Sequence, residues 1–295
     1  MSERVSVHGA LALVQIFFGL HYLAAKLLLL ELAPAAWALI RVSSAAALML
    51  LTASLAGRRF PRSPALLGRL ALYSIFGVVI NQWCFVEGLS RTTAAHSSIL
   101  MVVTPVTTLL FAVAARRERL TAGKALSFAL AACGVLLVLR PSAALLTGPA
   151  LAGDLLIVAN ALSYSLFLVL SKDLAGRVDP LAATALLLGF GAVGMLLPGL
   201  PALAGLDPAS VSGRTWALGA FIVVFPTALG YHLTYWALAR VESSRVAFFI
   251  FLQPVIATGL AVAFFGERPD GMVAAGAAAI FLAVYLALGA RTAGE

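Results

Sequence analysis

Long apolar stretches separated by short polar breaks recur along the whole chain, and they limit what it can fold into. A helix needs about 20 residues to cross the hydrocarbon of a bilayer. Ten stretches of this class follow one another: Val7–Leu29, Ala35–Ala56, Leu66–Leu89, Ala94–Ala115, Ala122–Leu139, Leu151–Leu170, Leu181–Leu203, Trp216–Leu238, Val246–Phe265 and Met272–Ala290. They are continuous and rich in Ala and Leu, without the alternation of membrane β-strands. The sequence therefore predicts an all-α membrane protein with ten transmembrane helices.

The composition agrees with lipid as the main solvent. Apolar residues make up 62% of the chain and charged residues 11%, whereas a soluble globular domain has roughly 45–50% and about 25%. So few charges exclude a disordered chain, a nucleic-acid-binding arm and an ordinary soluble enzyme. Cys84 and Cys133 both lie in apolar stretches, so they predict neither a disulfide framework nor a metal site.

The net charge of +8 is explained by orientation in the membrane. With the N-terminus in the cytoplasm, fourteen Lys and Arg residues fall in cytoplasmic breaks and five in the opposite breaks, while Arg41 lies inside the second span. Positive residues collect in the cytoplasmic loops of membrane proteins. We therefore expect a multi-pass protein of the bacterial cell inner membrane, with both termini in the cytoplasm and no nucleic-acid partner.

The two halves of the chain share prolines and charges at nearly constant spacing. An offset of 149 residues pairs Pro105 with Pro254 and Glu118 with Glu267. An offset of 146 pairs earlier residues: Lys26 with Lys172, Pro34 with Pro180, and Met49 with Met195. Helices rich in Ala and Leu also match by chance, but charges and prolines at one spacing favour a true repeat.

The predicted repeat has an orientation, because each unit contains five spans. We expect one unit at residues 7–139, a linker at 140–150 and a second unit at 151–290. Since five is odd, the second unit enters the membrane from the opposite side. Transporters use such inverted repeats, with the substrate site near the midplane between the units.

The paired Pro and Glu-Arg motifs also carry a family resemblance. Pro105 with Glu118-Arg119, and Pro254 with Glu267-Arg268, resemble two EamA-type domains. The chain is similar to ten-helix members of the drug/metabolite transporter superfamily, and it most resembles bacterial aromatic amino acid exporters. The resemblance implies an inverted-repeat fold and a central cavity lined mainly by the first, third, fourth, sixth, eighth and ninth helices. It also implies transport of amino acids, other small metabolites or, in some members, cationic toxicants.

Polar side chains inside the spans predict where that cavity lies, because a polar group in lipid is costly unless it faces protein or water. At about 100° per residue, these side chains share single faces of several spans. Helix packing is the favoured interpretation for Gly and Ser. The deeper and bulkier side chains on those faces are predicted to contact substrate: Gln15, Tyr22, Asn81, Phe85, Met101, Asn160, Tyr164, Tyr231, Tyr235 and Gln253.

The chemistry of this wall predicts the substrate class. Amides and hydroxyls are neutral donors and acceptors, while aromatic rings stack on ring substrates or attract cations. A phosphate carrier needs several deep cations, and Arg41 and Lys26 are the candidates here; we expect Arg41 to pair or to snorkel. The sequence predicts alternating-access export of small metabolites, above all aromatic and other neutral amino acids. The alternative is a proton-coupled exporter of organic cations or drugs.

The positions of the acidic residues indicate whether transport is driven by protons. Nearly all of the twelve acidic residues lie in breaks, whereas a proton-driven antiporter usually has an intramembrane Asp or Glu. This favours a facilitator (uniport). We expect Glu118 and Glu267 to bind loop amides or neighbouring arginines. His21, His96 and His232 could titrate, but hydrogen bonding is the favoured interpretation.

Pro105 and Pro254 lie inside predicted spans, where each removes a helical hydrogen bond. Their matching positions suggest hinges, with static kinks as the alternative. The chain has neither a Gly-rich phosphate loop nor a His, Asp and Glu grouping of catalytic or metal-binding spacing. We therefore expect a transporter without enzymatic activity or cofactor. Its partners are a small-molecule substrate and the lipid bilayer, and we expect a monomer or a weak homodimer.

Overall fold

The computed structural model describes residues 3–92, 97–98, 100–139, 151–256, 259 and 271–289. These parts of the chain contain ten helices of at least twelve residues and no strand, so the all-α prediction is confirmed. The helices are α1 (Glu3–Leu28), α2 (Pro34–Leu55), α3 (Pro64–Arg91), α4 (Val103–Ala114), α5 (Ala122–Leu139), α6 (Leu151–Ala175), α7 (Pro180–Ala204), α8 (Gly213–Leu238), α9 (Ser243–Ile256) and α10 (Gly271–Gly289). His96, the predicted linker 140–150, Glu267 and Arg268 lie outside the described residues.

The helices have the length and surface of membrane spans. Six of them, namely α1, α2, α3, α6, α7 and α8, are long and apolar enough to cross a bilayer, and α4, α5, α9 and α10 are shorter apolar helices. Leu55 and Leu197 expose 80% and 87% of their surfaces. Lipid solvates such side chains, whereas large exposed apolar areas are rare on soluble proteins. The chain is therefore a multi-span membrane protein.

Two of the long helices change their hydrogen-bonding pattern midway. In α3 the segment Ile75–Ile80 is π-helical, and in α8 the segment Val223–Leu229 is π-helical and contains Pro226. Proline has no backbone N–H to donate, which accounts for an interruption in α8. Segments of this type often occur at functional sites. Both segments are followed directly by the inward-facing polar residues described below.

Two pairs of helices that are distant in sequence pack closely against each other. The α2 helix runs along α7, and α5 runs along α10. Glycine allows the close approach: a Cβ on Gly199 would lie 2.5 Å from the Leu39 Cβ, and one on Gly134 would lie 2.8 Å from the Gly276 carbonyl oxygen. Small residues are typical of such membrane interfaces because they let backbones meet. This supports the packing interpretation of the glycines.

Two lysines separated by 146 residues make matching contacts. Each ammonium donates to two carbonyl oxygens at or just past the C-terminal end of a helix, α3 for Lys26 and α8 for Lys172. The acceptors are Leu89 and Thr92 for Lys26, at 2.8 and 2.7 Å, and Leu238 and Val241 for Lys172, at 2.7 and 2.9 Å. Helix C-termini carry unpaired carbonyls and partial negative charge. The two halves thus share a contact as well as a sequence pattern.

Buried apolar side chains form two separate clusters. One contains Leu11, Phe128, Leu174 and Tyr235, among others. The other contains Leu28, Trp37, Val86 and Ile222, among others. The polar interior described next takes wall residues from both clusters, so it lies between them.

Candidate functional site

A cavity lies between the two apolar clusters, and residues of both line it. The wall comes from α1, α2, α3, α6, α8 and α9, together with Met101 just before α4. Its residues are Val14, Gln15, Phe18, His21, Tyr22, Arg41, Asn81, Gln82, Phe85, Met101, Asn160, Tyr164, Leu168, Tyr231, Thr234, Val246, Ile250 and Gln253. All predicted substrate residues except Tyr235 belong to this wall.

One polar chain in the wall joins α1 to α9. The Tyr22 hydroxyl donates to Oε1 of Gln253 at 3.1 Å, and Nε2 of Gln253 donates to Oε1 of Gln15 at 2.8 Å. All three side chains are buried. A buried polar group is costly without a partner, so these bonds hold the amides at fixed positions on one side of the cavity.

A second polar network centres on Tyr231 and joins α3, α6 and α8. Nε2 of Gln82 donates to the Tyr231 oxygen at 2.6 Å. The Tyr231 hydroxyl has two acceptors, the Gly77 carbonyl oxygen at 2.6 Å and Oδ1 of Asn81 at 3.0 Å. Nδ2 of Asn160 donates to the Asn81 carbonyl oxygen at 2.6 Å. Gly77 belongs to the π-helical segment of α3, which therefore contributes directly to the site.

Aromatic rings border both polar groups. His21 stacks on Phe85 at 4.9 Å between centroids, and Tyr22 meets Phe85 edge-on at 5.7 Å. Tyr164 meets Tyr231 edge-on at 6.4 Å. Aromatic pairs prefer such stacked or edge-to-face arrangements. The wall can therefore offer ring faces and edges to an aromatic ligand from two sides.

Arg41 brings a positive charge to the cavity wall. Its side chain is buried, with 1% of the residue surface exposed. Nε donates to Oγ1 of Thr227 at 2.6 Å, while Nη1 has no hydrogen-bond partner among the residues that the structure describes. Arg41 forms no ion pair with the described part of the chain. Packing of α2 against α7 and α8 places Arg41 in the interior, so it does not snorkel to the surface, and the described residues contain no ion-pair partner for it.

Tyr235 is the predicted substrate residue that the structure places elsewhere. It is buried in the apolar cluster with Phe128 and Leu174 and does not line the cavity. Tyr235 shares a helix face with Tyr231, and its neighbour Thr234 still lines the cavity, so position along α8 does not account for the difference. The Tyr235 ring instead packs among the apolar side chains of the cluster. A helical face predicts a direction but not which neighbouring side chains cover a residue.

Several residues of the cavity wall were not among those predicted from the sequence. Gln82 is about 100° around the helix from Asn81, so the two do not share one face of an ideal helix, yet both line the cavity. The apolar wall residues Val14, Leu168 and Ile250 carry no signal that separates them from packing residues. The π-helical segment Ile75–Ile80, which precedes Asn81, was not predicted either, because this segment contains no proline.

The two hinge candidates occupy different places in their helices from those predicted. The α4 helix begins at Val103, so Pro105 lies in its first turn, after a turn at residues 101–102. Pro254 follows the 3-10 segment Phe249–Leu252 within α9. One property of proline explains both positions: it has no N–H to donate a hydrogen bond to the carbonyl of residue i−4, and its ring clashes with that carbonyl. Each proline therefore follows an interruption rather than sitting within a continuous α-helix.

Glu118 connects the break between α4 and α5 to the start of α9. Its carboxylate accepts from the Ser244 backbone N–H at 3.0 Å and from the Ser244 hydroxyl, and it pairs with Lys124 at 3.0 Å. Glu118 was predicted to bind loop amides or neighbouring arginines; it binds instead a backbone amide in the first turn of α9 and a lysine. Within the described ranges, no group of three His, Cys, Asp or Glu side chains could hold a metal ion.

Comparisons with known proteins identify relatives of this chain in sequence and in structure. An uncharacterized transporter of Archaeoglobus fulgidus is 25% identical over 283 residues, covering 95% of this chain and 98% of that protein. The uncharacterized transporter YetK of Bacillus subtilis is 26% identical over 190 residues, covering 64% of this chain and 58% of YetK. A solved crystal structure shares the fold, with a TM-score of 0.78 over 97% of this chain and 96% of the other, at 18% identity. The family model described as the EamA-like transporter family matches residues 7–140 and 151–289, and the chain therefore belongs to that family of membrane transporters.

Proposed function

We propose that this transporter is an alternating-access facilitator that exports aromatic and other neutral amino acids across the bacterial inner membrane. The observation that carries the proposal is the cavity wall, where amides, tyrosine hydroxyls and aromatic rings converge from six helices. Binding sites of this kind combine apolar surface with a few polar groups that orient the ligand. An aromatic amino acid supplies the matching parts, namely a ring and a compact polar end.

The wall offers an acceptor for an ammonium group. Oδ1 of Asn160 is buried and finds no hydrogen-bond partner in the described part of the chain, although Nδ2 of the same amide is bonded to the Asn81 carbonyl oxygen. A buried polar atom without a partner is costly in the empty protein. A ligand N–H that reaches this oxygen removes the cost, so Asn160 favours substrates with an amine.

The proposed uniport mechanism rests on the charges of the wall. The described wall includes no Asp or Glu, whereas protonation of an intramembrane carboxylate commonly couples transport to protons. Alternating access rests on the proposed repeat, with residues 7–139 and 151–290 as units of opposite orientation. Pro105 and Pro254 are the proposed hinges within these units. The distribution of positive charge favours both termini in the cytoplasm.

Counterflow into liposomes tests the proposal. Purified protein is reconstituted with unlabelled phenylalanine inside, and entry of labelled phenylalanine, tryptophan, methionine and threonine is followed. We expect saturable exchange of the aromatic amino acids that continues when a protonophore removes the pH gradient. Loss of exchange with the protonophore would contradict uniport. Failure of all four amino acids, with uptake of a labelled organic cation instead, would favour the alternative, an exporter of organic cations or drugs.

A further inference from the structure

The unsatisfied guanidinium of Arg41 is the least explained feature of the cavity. A full charge inside a membrane protein is expensive and normally pairs with another charge or with water. Arg41 has one described side-chain partner, the neutral Thr227 hydroxyl, and its Nη1 donor has none. Thr227 in turn donates to the Ile222 carbonyl oxygen at 2.7 Å, so the hydroxyl is held as a fixed acceptor. The hydrogen bond at Nε therefore fixes the orientation of the guanidinium, while Nη1 can still donate a hydrogen bond to a ligand.

The described surroundings of Arg41 contain no negative charge that compensates its own. The other described wall side chains are neutral amides, hydroxyls, rings, a thioether and aliphatic groups, with His21 as the one additional titratable base. An uncompensated buried charge destabilises the empty protein strongly. An anion that enters the cavity would recover much of that cost, which is a direct source of binding energy.

The single positive charge of Arg41 determines which class of anion it can bind best. A single guanidinium matches a ligand with one negative charge, whereas a phosphate dianion is usually held by several cations. The planar guanidinium fork matches the geometry of a carboxylate, which can accept two parallel hydrogen bonds. The rings of Phe85 and Tyr164 in the same wall suit the apolar remainder of an aromatic carboxylic acid.

We propose that Arg41 anchors the carboxylate of the transported substrate, which makes a carboxylate an essential feature of the ligand and excludes organic amines that lack one. This inference rests on the proposed amino acid transport and specifies how the same cavity selects its substrate. Asn160 then accepts from the ammonium group of an amino acid, while Arg41 donates to the carboxylate.

A competition experiment with four related ligands tests the anchor on the wild-type protein. Labelled phenylalanine is bound to purified transporter and competed with phenylalanine, 3-phenylpropionate, phenylalaninamide or phenethylamine. The first two ligands have a carboxylate and the last two do not. We expect both carboxylates to compete, and both amines to bind at least about 30-fold more weakly than phenylalanine, since leaving a buried charge unpaired costs 2–5 kcal/mol or more.

Two variants of Arg41 and one control variant test whether the preference for carboxylates comes from the Arg41 side chain. Arg41→Gln removes the charge and should weaken phenylalanine binding at least about 30-fold while leaving phenethylamine binding unchanged. Arg41→Lys keeps the charge without the fork and should retain part of the preference for carboxylates. Arg214→Gln removes an exposed arginine at the start of α8 and should leave all affinities unchanged.

The outcomes separate this inference from the proposed function. If phenylalaninamide competes as well as phenylalanine, or if R41Q keeps wild-type discrimination, the anchor is refuted while amino acid transport stands. If wild-type protein binds no amino acid, both proposals fail. If R41Q does not fold, the wild-type panel decides, because phenylalaninamide retains the ring and the amine and lacks the carboxylate.

Discussion

Two tyrosines one turn apart on α8 differ in the environment of their hydroxyl groups. The Tyr231 hydroxyl accepts from Gln82 and has Gly77 and Asn81 as acceptors, whereas the buried Tyr235 hydroxyl has no hydrogen-bond partner within the described ranges. Tyr231→Phe should slow phenylalanine counterflow and cost about 1–3 kcal/mol of stability, because the Gln82 amide loses its acceptor. Initial rates and thermal unfolding of the detergent-solubilised protein measure the two effects.

Tyr235→Phe is the matched control for that substitution. It removes the same atom from the same helix, but the lost hydroxyl makes no hydrogen bond to the described residues. We expect an unchanged counterflow rate and an unchanged or slightly higher unfolding temperature. Equal losses of transport in both variants would mean that the Tyr231 network has no particular role in the site.

At the scale of elements, α4 and α9 are the candidates for bending during transport. Pro105 follows a turn, and Pro254 follows a 3-10 segment, so both helices lack continuous α-helical hydrogen bonding there. Pro105→Ala and Pro254→Ala allow a more regular helix to form. Each should slow counterflow by about tenfold, which corresponds to about 1.4 kcal/mol in the barrier, without reducing membrane insertion.

Pro64→Ala provides the comparison for the hinge experiment. Pro64 is the first residue of α3, a position where proline breaks no helical hydrogen bond. We expect its replacement to leave the counterflow rate unchanged. Wild-type rates in both P105A and P254A would favour static kinks over hinges.

The loop between α1 and α2 fixes the start of α8 through Glu31. The Glu31 carboxylate accepts from the Ser212 backbone N–H at 2.7 Å and from the Ser212 hydroxyl at 2.9 Å. Hydrogen bonds from the Ser212 backbone, and then from the Thr215 and Ser212 hydroxyls, hold the pKa of Glu31 below its ordinary value of 4.5. The ionised carboxylate therefore stabilises the folded protein at neutral pH.

The lowered pKa sets the sign of a pH dependence. The stabilisation is fully present above pH 4.5 and is lost as the pH falls through the lowered folded-state value. We compare the unfolding temperatures of wild-type protein and Glu31→Gln from about pH 7 to about pH 3. Wild type should be more stable at neutral pH, and the difference should shrink only in the acidic part of the range. A difference that persists unchanged to the lowest pH would refute the role of the ionised form.

At the scale of the whole molecule, the sequence predicts the architecture better than the boundaries of the site. Apolar stretches are long and numerous, so the helix count follows from length and hydropathy alone. The bulky polar residues Gln15, Asn81 and Gln253 were identified correctly as cavity-lining because polarity in a span has few explanations. The sequence did not predict that Arg41 lies in the cavity wall and Tyr235 in an apolar cluster, because their environment depends on which neighbouring helices surround them, and a single helix does not encode this.

The matching contacts of Lys26 and Lys172 give the proposed inverted repeat a test on the whole molecule. If the two units have opposite orientation, the contact of Lys26 with the end of α3 lies on the outer side and that of Lys172 with the end of α8 on the inner side. Alternating access requires the two sides to open in turn. Lys26→Met should therefore favour opening to the outside, and Lys172→Met opening to the cytoplasm.

A cysteine in the cavity wall can report this equilibrium. Met101→Cys is introduced into a background in which Cys84 and Cys133 are replaced, and its reaction with a membrane-impermeant maleimide is followed from each side of the vesicle. A free-energy change of about 1.4 kcal/mol alters the ratio of two states tenfold. Loss of the hydrogen bonds that the lysine ammonium makes should therefore shift the ratio of outside to inside reactivity by about tenfold or more. The shift should have opposite directions in K26M and K172M. The double variant should return towards the wild-type ratio, because it weakens both sides equally. A shift in the same direction for both single variants would contradict opposite orientation of the two units and the transport mechanism that depends on it.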